Sequence, residues 1–176
     1  MKPIAAAFLS TVWLTGWLLA GPAMAEAGDP ARDARFVEEV SRAGLARLET
    51  AERAIAKAGD RRVRILAERI IEDQRPINEE LSVLAGDAGI DTATLEAPSE
   101  PAGDLSALSG AAFDKAWLKA EMAAQRSLID LFDRQAKEGA DASLKTFAAN
   151  HLASLRDHLD IARSLGDELG SAASPE

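Results

Sequence analysis

Apolar residues recur at alternating spacings of three and four in four long segments of this sequence, and no segment alternates with the period of two that a half-buried strand requires. The first segment opens at Asp29-Pro30, an acceptor side chain at the cap followed by proline at the first helical position, where no backbone donor is lost. Val37, Val40, Gly44, Leu48, Ala51, Ile55 and Ala58 then share one face, until Gly59 stops the helix. Asp60 caps a second helix whose stripe is Val63, Ala67, Ile70, Gln74, Ile77, Leu81 and Leu84, ending at Gly86. A turn this short makes the two helices antiparallel neighbours.

A connection rich in glycine, proline and acids covers 86–104. Periodicity resumes at about Leu105 and runs through Phe113, Trp117, Glu121, Ala124, Leu128 and Leu131 to Glu138, where Gly139 ends it. Asp141 caps a fourth helix carrying Leu144, Ala148, His151, Leu155, His158, Ala162, Leu165 and Leu169 on one stripe. The expected helices are 30–58, 60–85, 105–138 and 142–169, in one domain over 26–169, with a disordered tail over 170–176 that lacks an apolar face.

The fold class is all-α. Two antiparallel hairpins with a long connection between helices 2 and 3 describe a ferritin-like four-helix bundle, because a linker over 86–104 can run the length of a helix. An up-down-up-down bundle with a long loop is the alternative. A faint internal repeat favours the first arrangement: Ala56-Lys57-Ala58-Gly59-Asp60 is echoed by Ala136-Lys137-Glu138-Gly139-Ala140-Asp141, and Arg64-Ile65-Leu66-Ala67 by Lys145-Thr146-Phe147-Ala148.

The N-terminus carries Lys2, an apolar run from Ile4 to Ala20, then Gly21-Pro22 and Ala23-Met24-Ala25. That order predicts a secretory signal over 1–25, cleaved after Ala25, and a periplasmic protein; an uncleaved anchor is the competing reading. Cleavage removes one lysine and no acid, so the net charge goes from −9 to −10. A chain so acidic has no electrostatic attraction to nucleic acid or anionic lipid, and no stable membrane insertion is expected once the signal is gone. With no cysteine, disulfides, thiolate chemistry and Cys-x-x-Cys-His haem attachment are all excluded.

Bundles of this type commonly hold metal through inward glutamates and Glu-x-x-His pairs. Here Ala148 precedes His151 by three and Leu155 precedes His158 by three, so the motif is missing. The two histidines share a stripe but lie about 10 Å apart along the axis, too far to bind one ion together. No serine or cysteine nucleophile has a recognisable base partner, and no glycine loop is built to cradle phosphate. These absences favour a non-enzymatic module without a cofactor, with an envelope protein as the expected kind of partner.

The polar residues on inward stripes are more informative. Gln74, Gln125 and His158 fall mid-helix in about the same layer, and Glu121 stands one turn before Gln125. Burying such groups costs a few kcal/mol each unless they pair, so they are expected to bond one another or water in an interior polar layer that holds no metal. The rival reading is a metal-binding or oxidoreductase bundle using Glu49, Glu121 and His158. Arg61, Arg62 and Arg64 read as a solvated face, Trp117 as core, and Pro76 as the site of a bend in helix 2.

Phe36-Val37 with Gly44-Leu45-Ala46, Glu72-Asp73 with Asn78-Glu79-Glu80-Leu81, the stretch from Leu108 to Leu118 containing Ser109-Gly110-Ala111-Ala112-Phe113-Asp114, and Lys145-Thr146-Phe147-Ala148 through Leu155-Arg156-Asp157-His158-Leu159 resemble the bacterial domain-of-unknown-function 4142 family. The resemblance covers nearly the whole chain after the signal and implies an exported ferritin-like helical domain, associated with the envelope or stress, with no established activity. It implies histidines in relatives where Gln74 and Gln125 stand here, glutamate where Arg47 stands, proline where Ala153 stands, and retention of Glu49 and His158. On that comparison Gln74 and Gln125 stand in for inward histidines of a degenerate metal site, and neutral amides are poor transition-metal ligands.

Overall fold

The computed structural model describes residues 29–97 and 105–171, so the expected signal segment over 1–25 and the chain beyond Ser171 lie outside the described residues. Four helices follow in order: α1 (Pro30–Lys57), α2 (Arg61–Asp87), α3 (Gly110–Glu138) and α4 (Ala142–Ser171). Asp29 caps α1 by accepting from the Ala31 amide at 3.0 Å, and Asp60 caps α2 by accepting from the Arg62 amide at 2.7 Å.

Three boundaries differ from the sequence expectation by two residues or more. Helix α2 runs past Gly86 and ends at a Schellman turn, where Gly89 at φ +72° is the left-handed residue and the Ile90 amide reaches the Ala85 carbonyl at 2.8 Å. Helix α3 begins at Gly110 rather than Leu105, because Leu105 is buried as part of a turn, closed by the Leu108 amide, and Gly110 at φ +59° breaks the helical phase. Helix α4 continues to Ser171, whose hydroxyl donates back to the Asp167 and Glu168 carbonyls at 3.1 Å. Helix α2 also passes through Pro76 without interruption. Pro76 and Glu72 are both exposed, so the carbonyl that the proline leaves without an amide faces solvent.

The start of α3 meets the end of α1, through Ala58 and Gly110, while Arg62 at the start of α2 pairs with Glu168 near the end of α4. Helix α3 is therefore antiparallel to α1, and α4 to α2. An up-down-up-down bundle would make these pairs parallel, so that alternative is excluded. The connection after α2 instead carries the chain back along the bundle, which is the ferritin-like arrangement.

The halves close each other's turns. Asp114, near the start of α3, accepts from the Gly59 and Asp60 amides at 3.0 and 2.8 Å; Asp33, near the start of α1, accepts from the Ala140 and Asp141 amides at 3.1 and 2.8 Å. Positions 33 and 114, 60 and 141, and 63 and 144 each stand 81 apart, so the faint repeat in the sequence corresponds to a pseudo-twofold relation between hairpins. Two apolar clusters fill the bundle. One gathers Leu66, Ile70, Phe113, Trp117 and Leu118 at the end holding the α1–α2 turn; the other gathers Phe36, Leu81, Phe132, Leu144 and Phe147 at the opposite end.

Candidate functional site

Between the two apolar clusters lies a layer of buried polar side chains centred on Arg47. Its position on α1 follows from spacing: Arg47 is three residues after Gly44 and four before Ala51, both buried, and so faces inward. The guanidinium reaches all three other helices. Nε donates to Glu121 Oε1 on α3 at 3.0 Å, with Nη2 2.9 Å from the same oxygen, Nη1 donates to Gln74 Oε1 on α2 at 3.0 Å, and Nη2 donates to His158 Nδ1 on α4 at 3.2 Å. Arg47 and Glu121 side chains are 3% and 4% exposed, which makes this a buried ion pair rather than a surface one.

The outer part of the layer leads to solvent. His158 Nε2 lies 2.8 Å from Asp73 Oδ2, Asp73 stands 3.9 Å from Arg69 Nε, and Arg69 Nη2 donates to Asp157 at 2.7 Å. Burial first and the Arg47 charge second push the His158 imidazole below its ordinary pKa, against the pull of Asp73. The Gln74 amide is fixed in one orientation, its oxygen accepting from Arg47 and its Nε2 donating to Asn78 Oδ1 at 2.8 Å. Gly44 makes room for that pair: a Cβ at Gly44 would overlap Asn78 Oδ1 and stand 2.9 Å from Gln74 Nε2.

Of the residues expected to meet in an interior layer, Gln74, Glu121 and His158 converge on Arg47. Gln125 is equally buried but donates through Nε2 to the Leu155 carbonyl at 2.6 Å, one turn from His158. Glu49 is exposed and pairs with Arg53 one turn along α1. The set Glu49, Glu121 and His158 is thus not assembled, because Glu49 lies on the outer face of α1. His151 is partly buried against the edge of Phe147 and pairs with Glu80 at 3.0 Å, and Trp117 sits in the core with Nε1 donating to the Thr50 carbonyl at 3.1 Å.

Sequence reasoning missed Arg47, Asp33 and Asp114, all buried and charged. It also placed Ala124 and Leu131 on the α3 stripe, whereas Gln125 and Phe132 are the buried residues there. A residue set able to hold the metal of a ferritin-like centre would need several carboxylate or imidazole ligands around one point. The donor set here does not fit: the centre of the layer is a guanidinium, which already takes the Glu121 carboxylate and one His158 nitrogen, and among the described residues no group of three His, Cys, Asp or Glu is placed to hold an ion. Among these residues, too, no helix is long and apolar enough to cross a membrane.

The sequence model of a family described as "Domain of unknown function (DUF4142)" matches residues 19–165. No curated protein matches the chain. Among solved structures, a DUF305 protein of Streptomyces coelicolor, described as a candidate secreted protein, aligns with a TM-score of 0.67 at 17% identity, covering 79% of this chain and 94% of its own. A DUF305 fragment from Deinococcus radiodurans gives 0.68 at 16% identity, covering 82% of this chain and 98% of its own. A two-domain protein of Anabaena variabilis with DJ-1/ThiJ/PfpI-like and ferritin-like domains gives 0.63 at 15% identity, covering 86% of this chain and 40% of its own. At these identities the likeness concerns the fold alone.

Proposed function

Because the chain belongs to the DUF4142 family, whose function is unknown, we propose that it is an exported, non-enzymatic helical module of the bacterial periplasm, a binding or envelope-related protein whose interior layer is structural. The observation that carries this reading is Arg47. Its guanidinium occupies the point on which Gln74, Glu121 and His158 converge, and so supplies inside the protein the positive charge that a bound cation would otherwise bring. A metal ion placed there would meet a fixed cation instead of free ligands. The reading of export draws on the signal-like order of residues 1–25 and on the similarity in fold to a DUF305 protein described as a candidate secreted protein.

Two measurements test this. N-terminal sequencing of protein recovered from the periplasmic fraction should begin at Glu26; a membrane-retained form still carrying Trp13 and Trp17 would refute export with cleavage. Calorimetric titration of the purified protein with zinc or cobalt should show no tight binding. Changing Gln74 and Gln125 together to histidine should not create it while Arg47 remains, because the guanidinium still fills the layer. Tight binding by the natural protein would overturn the structural reading of the layer.

A further inference from the structure

His158 makes two hydrogen bonds whose directions its partners dictate. A guanidinium can only donate, so Nδ1 accepts from Arg47; a carboxylate can only accept, so Nε2 carries the proton shared with Asp73. The ring is neutral in this arrangement, and a second proton has one place to go: Nδ1, 3.2 Å from a guanidinium nitrogen. We propose that the Arg47–His158 contact is an acid-operated release, in which a proton added at Nδ1 turns a hydrogen bond into two donors and two cations facing each other, and detaches α4 from α1 at the polar layer.

The charged groups around the ring come from every helix. Helix α1 presents Arg47, α2 presents Asp73 with Arg69 behind it, α3 presents Glu121 through Arg47, and α4 itself adds Asp157, which is held by Arg69. Asp73 favours the imidazolium, but its side chain is 39% exposed and shares its charge with Arg69, whereas Arg47 is shielded from solvent. Burial and Arg47 prevail, so the folded ring takes up its proton only below the ordinary imidazole value.

The unfolded chain protonates this ring near pH 6.5. The stability supplied by the neutral ring is therefore complete above about pH 6.5 and is lost as pH falls through the lower folded value. Each unit of depression lowers the folding constant about tenfold once both values have been passed.

The chain contains two histidines, so imidazole NMR can follow His158 beside His151. At pH 7.5 the full mature protein should show His158 as the Nε2–H tautomer. On acidification its protonation should occur below pH 6.5, together with amide exchange in α1 and α4 near the layer that is faster than the intrinsic pH dependence. Asp73→Asn should move the protonation to lower pH. Arg47→Met combined with Glu121→Leu, which leaves neither member of the ion pair buried alone, should move it to higher pH and uncouple it from exchange. An Nδ1–H tautomer, a ring already charged at pH 7.5, shifts of the same sign in both variants, or protonation that leaves amide protection unchanged would overturn the release.

Discussion

Replacing Arg47 with methionine tests the layer most directly, because it removes the one group that all four helices share there. Glu121 would lose both of its contacts, at 3.0 and 2.9 Å, while remaining 5% exposed in a site built for a charged partner. Breaking a buried pair from one side costs about 3–5 kcal/mol, since the remaining ion keeps its desolvation penalty. Gln74 Oε1 and His158 Nδ1 would also lose their donor, and each buried acceptor so stranded adds about 1–3 kcal/mol unless water enters. Against a total stability of about 5–15 kcal/mol for a domain, the lower end of this range is already severe. The double variant Arg47→Met/Glu121→Leu should recover much of the loss, because a well-packed apolar replacement of a buried pair is often neutral. Urea denaturation followed by circular dichroism of the natural protein, Arg47→Met, Glu121→Leu and the double variant gives the three changes in free energy, and their cycle should show a coupling of at least about 2 kcal/mol. Additive effects, or an Arg47→Met loss below about 1 kcal/mol, would refute the claim that the guanidinium and carboxylate form a buried pair.

Gly44→Ala should lose about 1–2 kcal/mol despite the better helix propensity of alanine, because the new methyl overlaps Asn78 Oδ1 and displaces the Gln74 amide; a raised melting temperature would mean that Asn78 simply turns away. Asp114→Ala removes the acceptor of two backbone amides in the α1–α2 turn and should cost about 2–4 kcal/mol in chemical denaturation, with Asp33→Ala similar; a loss in only one of the two would contradict their equivalence. Pro76→Ala should stabilise by up to about 3 kcal/mol, less what hydration of the exposed Glu72 carbonyl already recovers, and a marked loss would show that the proline is needed.

The four helices were legible because burial of one face repeats along each segment, and the stops at Gly59 and Gly139 are strong local signals. The start of α3 was not, because Leu105 is buried without being helical and so mimics the first residue of a stripe. Gln74, Glu121 and His158 could be placed inside from their own helices. Arg47 satisfied the same spacing between Gly44 and Ala51, but the choice between Arg47 and its neighbour Leu48 for the inward position cannot be made on one helix: a charge is affordable in a core only when partners meet it, and these partners come from three other helices. Asp33 and Asp114 escaped for a related reason. Each is held chiefly by two backbone amides, which leave no trace in side-chain pattern, and Asp33 accepts in addition from Gln135 Nε2 at 2.7 Å, on a different helix.

The crossed closure of the turns by Asp33 and Asp114 bears on what the covalent chain between the hairpins contributes. Each hairpin already carries the acceptor that the other's turn requires, and each buries its apolar face against the other, so the specificity of docking resides in the halves themselves. A single proteolytic cut between α2 and α3 should leave a tight two-fragment complex that separates only in denaturant, and the two fragments, mixed after denaturation, should reassemble with native helicity. The peptide joining them then serves mainly to raise effective concentration, setting how fast the partners find each other more than what they form.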